Sequence, residues 1–120
     1  MAEQPRVLIV EDEWLVAEDY SSTLRAAGYA IVGPTPSVDG ALALSAETEV
    51  GAALLDINLN GETSYPIAKR LAERNVPFAF MSGYTTSDLP PSFSGRTIVG
   101  KPISEAALLA TVGELLAVQP

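Results

Sequence analysis

The stretch Gly51-Ala52-Ala53-Leu54-Leu55-Asp56-Ile57-Asn58-Leu59-Asn60 decides how this chain is read. Its first five residues are small or apolar and run straight into a carboxylate. A short unbroken apolar run predicts a strand buried on both faces, as inside a parallel sheet. Asn58, Asn60 and Gly61 then mark the end of the strand and the start of a loop. Asp56 is therefore expected at the carboxyl end of a central strand, where open α/β sheets place their ligands. Taken alone, it is either a loop residue or a reactive group.

Upstream, Arg6-Val7-Leu8-Ile9-Val10 is a second such run, and it ends in Glu11-Asp12-Glu13. A helix is expected from near Asp12 or Glu13, since acids suit the positive end of the helix dipole. Val16, Tyr20, Leu24 and Ala27 fall on one of its faces, and Gly28 stops it. Residues 30–32 predict a short strand broken by Gly33-Pro34. Ser37 or Asp39 then caps a helix to about Thr48, with Val38, Leu42 and Ala46 along one side.

Downstream, Pro66 predicts a helix start, because proline is tolerated only in a first turn. Tyr65, Ile67 and Leu71 can face the sheet, and Lys69, Arg70, Glu73 and Arg74 can face water. Residues 77–81 read as a fourth strand closed by Ser82-Gly83, and 97–99 as a fifth followed by Gly100-Lys101-Pro102. Between them, Pro90-Pro91 and Gly95 bar a full helix and leave at most one turn at 91–94, with Leu89 and Phe93 as apolar anchors. This weakly held segment, from Ser82 to Ile98, is where a conformational switch is expected. Ser104 caps a last helix whose Leu108, Val112 and Leu115 share a face. Leu109, Ala110, Leu116 and Ala117 extend its apolar character and suggest a partner or dimer surface.

Composition narrows the chemistry. The chain has 120 residues, 48% of them hydrophobic, enough for one domain with a real core. A net charge of −8 argues against a nucleic-acid surface. No apolar run is long enough to span a bilayer, and the N-terminus does not resemble a signal peptide, so a cytoplasmic location is expected. With neither histidine nor cysteine in the sequence, Ser-His-Asp and Cys-His catalysis and Cys/His zinc sites are excluded. Carboxylates, hydroxyls, lysine and a hard metal remain.

Strands alternating with helices imply a parallel sheet covered on both faces, and right-handed crossovers bring every strand's carboxyl end to one edge. That edge should collect Glu11, Asp12, Asp56, Ser82 and Lys101. Three carboxylates brought together are mutually destabilising unless cations offset them. A divalent ion such as Mg²⁺ together with Lys101 matches them, and Mg²⁺ suits oxygen ligands and a phosphate oxygen. Such a site can bind a phosphoryl group, with Asp56 as the nucleophile that receives it and Ser82 as a hydrogen-bond partner.

With these residues in place, the chain resembles a response-regulator receiver domain of two-component signalling over nearly its whole length. The family's acidic pair falls on Glu11 and Asp12, its phosphoacceptor on Asp56, its hydroxyl residue on Ser82 and its lysine before proline on Lys101. Phe80-Met81-Ser82-Gly83-Tyr84 and Ser64-Tyr65-Pro66 resemble the single-domain FATGUY-type receivers, with Met81-Ser82 in place of their Ala-Thr. The resemblance implies a flavodoxin-like, doubly wound α/β fold over residues 1–120, with a five-stranded parallel sheet in the order 2-1-3-4-5 and a fourth helix that is short or absent. It implies that Asp12 and Asp56 ligate Mg²⁺, that the backbone carbonyl of Asn58 assists, and that Glu11 acts through water. It also implies a cis Lys101-Pro102 peptide. The implied donor is a phosphohistidine on a sensor histidine kinase or phosphotransfer protein, with a downstream protein partner, and the expected state is a monomer or weak dimer. Ile98 stands where receivers carry an aromatic switch residue, so either signal transmission differs from theirs or Tyr84 substitutes.

Three other functions fit parts of this pattern. One is a pseudo-receiver that binds without being phosphorylated, against which the intact five-residue set speaks. Another is a phosphatase of the haloacid-dehalogenase type, which usually needs an acid just past the nucleophile, where this chain has Asn58. A flavodoxin-like cofactor carrier would need a Ser/Thr/Gly-rich loop after the first strand, and none follows it.

Overall fold

The computed structural model describes residues 4–83 and 89–117. The central sheet contains β1 (Arg6–Val10), β2 (Ala30–Thr35), β3 (Ala52–Asp56), β6 (Phe78–Ser82) and β7 (Thr97–Gly100). These pair in parallel in the order β2-β1-β3-β6-β7, which is 2-1-3-4-5 when only the strands of this sheet are counted. Two short strands, β4 (Asn58–Leu59) and β5 (Glu62–Thr63), form a separate antiparallel hairpin. The helices are α1 (Trp14–Ala26), α2 (Val38–Glu47), α3 (Tyr65–Glu73) and α4 (Glu105–Ala117).

Side chains alternate across the sheet and divide the interior into two cores. Val7, Ile9, Ala52, Leu54, Ala79 and Met81 pack with Tyr20 and Leu24 of α1 and with Leu108, Val112 and Leu115 of α4. Leu8, Val10, Ala53, Leu55, Phe78 and Phe80 pack with α2 and α3 on the other side. β1, β3 and β6 are thus covered on both faces, which explains why their sequences are unbroken apolar runs.

Several boundaries differ from the sequence reading. β2 does not stop at Gly33; it continues to Thr35 through a cis Gly33-Pro34 peptide and an irregularity in its register with β1. α1 turns Ala17, Tyr20, Ser21 and Leu24 inward and leaves Ala27 exposed. α2 buries Val38, Ala41 and Ser45, so Ala46 faces water and Leu42 is only half-buried. Ser37 caps α2 by accepting from the Gly40 amide, and Ser104 does the same for α4 through Ala107. Of the residues expected to extend the apolar character of α4, Leu109 and Leu116 are half-buried against the α1/α4 core, and Ala110 and Ala117 are exposed.

Between β6 and β7 the described residues hold no helix beyond one 3-10 turn at Pro91–Phe93. Phe93 is buried there against the rings of Tyr65, Phe78 and Phe80, and Arg96 lies over Phe78 at 4.5 Å. The anchor at Phe93 is firmer than two isolated apolar residues suggested. The expectations for Tyr84 and residues 85–88 lie outside the described residues.

Candidate functional site

At the carboxyl ends of β1 and β3 the chain leaves the sheet with its acids. Glu11 follows β1 directly, and its amide donates to the Thr35 carbonyl at 3.1 Å. One of its carboxylate oxygens accepts from the Glu13 amide at 3.0 Å, just before α1 begins. The other is ion-paired with the Lys101 ammonium. Glu11 is thus buried yet partnered at both oxygens, as burial of a carboxylate requires.

Asp56 closes β3 and is also buried. Its Oδ2 lies 3.2 Å from Lys101 Nζ, so the lysine bridges two carboxylates. Carboxylate oxygens of Glu11, Asp12 and Asp56 all lie within 4.8 Å of one another. Burial, and after it the charge of Glu11, push the Asp56 carboxyl up to about 7, against the pull of Lys101. Burial also works against the charged form of Lys101, but the Glu11 hydrogen bond and the charge of Asp56 outweigh it and raise its pKa.

The hairpin after β3 was not foreseen. Asn60 and Gly61 form its two-residue turn with φ of 50° and 89°, the primed geometry that Asn-Gly favours. The Asn60 amide then donates to Asp12 Oδ2 at 3.3 Å, tying the loop after β3 to the start of α1. Alternation along the hairpin keeps the Asn58 carbonyl out of its ladder, because Ile57 already accepts from the Ser64 amide. Asn-Gly was the available signal for this turn.

Ser82 ends β6 and is buried, and its carbonyl accepts from the Lys101 amide at 2.8 Å. Lys101 follows β7, and its peptide to Pro102 is cis, as the resemblance implied. All six residues expected at the site therefore lie along one sheet edge, and Glu11, Asp56 and Lys101 are in direct contact. The donors are oxygens only, which suits a hard divalent cation; the excess of negative charge over the single ammonium favours one. Helical spacing places Tyr20 on a core-facing side, and its hydroxyl also reaches the turn after Lys101.

The family model of the response regulator receiver domain matches residues 7–113. The chain belongs to this family. Receiver domains are signalling modules. Among solved structures, this receiver is similar to SdrG from Sphingomonas melonis Fr1, at 35% identity and a TM-score of 0.82 over 97% of this chain and 99% of that one. The BeF3-activated conformation of SdrG from Pseudomonas melonis Fr1 gives 34% identity and a TM-score of 0.80 over the same shares. Among curated proteins it is similar to the aerobic respiration control protein ArcA of Escherichia coli, 34% identical over 80 residues, or 66% of this chain. The receiver spans only 33% of the length of that relative.

Proposed function

We propose that residues 1–120 act as a phosphoacceptor receiver in a two-component phosphorelay, with Asp56 taking the phosphoryl group from a phosphohistidine of a sensor histidine kinase or phosphotransfer protein. The observation that carries this reading is the convergence of Glu11, Asp12, Asp56 and Lys101 on one sheet edge in a chain of the receiver family. An Asp56 oxygen forms the new P–O bond as the donor's P–N bond breaks, and the donor imidazole keeps the bonding electrons. Lys101 meets the charge on one phosphoryl oxygen and the Ser82 hydroxyl donates to another. Asp12, Asp56 and the Asn58 carbonyl would hold Mg²⁺, which when bound supplies charge neutralisation at the phosphoryl oxygens. Glu11 holds Lys101 in place from behind. The domain then alters its surface between Ser82 and α4 for a downstream protein, acting in the cytoplasm; among the described residues no helix is long and apolar enough to cross a membrane.

The BeF3-activated form of SdrG supports this reading through a similar chain. Incubation with acetyl phosphate and Mg²⁺, followed by intact-mass measurement, should show one added phosphoryl group that Asp56→Asn abolishes. Labelling of that variant at the wild-type rate would overturn the assignment. A chain that stays unlabelled by acetyl phosphate and by phosphorylated kinases alike would instead be a pseudo-receiver.

A further inference from the structure

We propose that Tyr20 is a positioning residue for this site: its hydroxyl holds the turn after Lys101 and so aims the lysine ammonium between Glu11 and Asp56. The inference rests on the phosphoacceptor reading of Asp56. Lys101 carries its charge on a long flexible stem, so the position of the ammonium depends on where the backbone of the turn is fixed. The turn is tied at its start, where the Lys101 amide donates to the Ser82 carbonyl at 2.8 Å. Pro102 has no amide hydrogen to give. The next donor is the Ile103 amide, and it goes to the Tyr20 hydroxyl at 3.4 Å.

Tyr20 is well suited to hold that point. It is 4% exposed and packs with Ile9, Leu24, Leu54, Met81 and Leu108, so its ring has little room to move. Ile103 packs against the same cluster. Phenylalanine would fill this apolar space without the cost of burying a hydroxyl, so the hydroxyl needs a purpose that packing does not supply. Among the described residues its hydrogen bond is the tie to Ile103, which links α1, the helix that begins beside Glu11 and Asp12, to the lysine turn. Burial raises the Tyr20 phenol, keeping it protonated, and the Ile103 amide offsets part of that rise.

The test is Tyr20→Phe, compared with wild type in initial phosphorylation rate from acetyl phosphate and in Mg²⁺ affinity. The rate should fall by about threefold to tenfold, while Mg²⁺ affinity holds and the thermal midpoint drops by no more than the roughly 5 °C that loss of one neutral hydrogen bond produces. In a Lys101→Ala background the same substitution should have no further effect on rate. An unchanged rate, or an equal loss with and without Lys101, overturns the proposal. NMR gives an independent reading: Tyr20→Phe should speed exchange of the Ile103 amide and broaden the ion-paired Lys101 ammonium signal. Should wild type take no phosphoryl group at all, the phosphoacceptor reading fails, and these two signals alone decide the positioning role. If both are unchanged, that role fails too.

Discussion

Asp56 is placed where the metal-free protein resists its charge. Its ordinary carboxyl value is 3.8 and its value in the fold is about 7, so the stability it contributes is present below about pH 4 and lost as pH rises through about 7. In EDTA, the thermal midpoint of wild type should therefore fall between pH 5 and pH 8, and Asp56→Asn should flatten that fall. At pH 8 the variant should melt about 5 °C higher, the shift that ~1 kcal/mol produces in a domain of this size. A variant that melts lower than wild type at pH 8 would show that Lys101 already offsets the buried charge. Asp12→Ala should weaken Mg²⁺ binding by about tenfold or more, because it removes a charged ligand. Trp14, the sole tryptophan and two residues from Asp12, gives a fluorescence titration that reads this directly. An unchanged midpoint would remove Asp12 from the metal site.

At the scale of elements, the segment between β6 and β7 shows where sequence and structure part. Pro90-Pro91 and Gly95 announced that the described residues from 89 to 96 would hold no more than a single turn, since each acts locally on the backbone. The aromatic group around Phe93 was not legible, because Tyr65, Phe78 and Phe80 come from elements distant in sequence and only the fold brings them together. Phe93→Ala should cost about 3 kcal/mol in urea unfolding, through lost ring contacts and the void left behind. A loss below about 1 kcal/mol would mean that neighbouring rings collapse into the gap. The hairpin has a local signal, since Asn-Gly sits between Leu59 and Glu62 and favours a tight two-residue turn. The helix faces erred for another reason. On α2, apolar spacing alone favoured Leu42 and Ala46, whereas the approach of the helix to the sheet buries Ala41 and Ser45.

For the whole molecule, strand order and the gathering of site residues followed from alternation of elements and from crossover handedness, which depend on no single contact. What the sequence left open was which apolar residues of α4 are spare. Leu109 and Leu116 are half-buried against the core, and the large apolar side chains left exposed among the described residues are Trp14 and Leu15. The unphosphorylated chain should therefore sediment as a monomer of 12.6 kDa. A concentration-dependent dimer that Trp14→Ala disperses would locate an interface at the start of α1 instead.

The two cores on either side of β3 give Asp56 a second task. Because both faces of this strand are apolar, sliding it by one residue toward its own beginning would exchange the two cores without bringing any apolar side chain into water. In strands that are apolar on one face only, such a slip is forbidden by pattern; here pattern is nearly silent. Sliding would, however, draw Asp56 into the place of Leu55, which is fully enclosed, and strand a carboxylate there without Lys101. The acid thus acts as a stop that sets the strand in frame with its neighbours. An alanine inserted between Ala52 and Ala53 should for that reason bulge at the Gly51 end, leaving Asp56 opposite Met81.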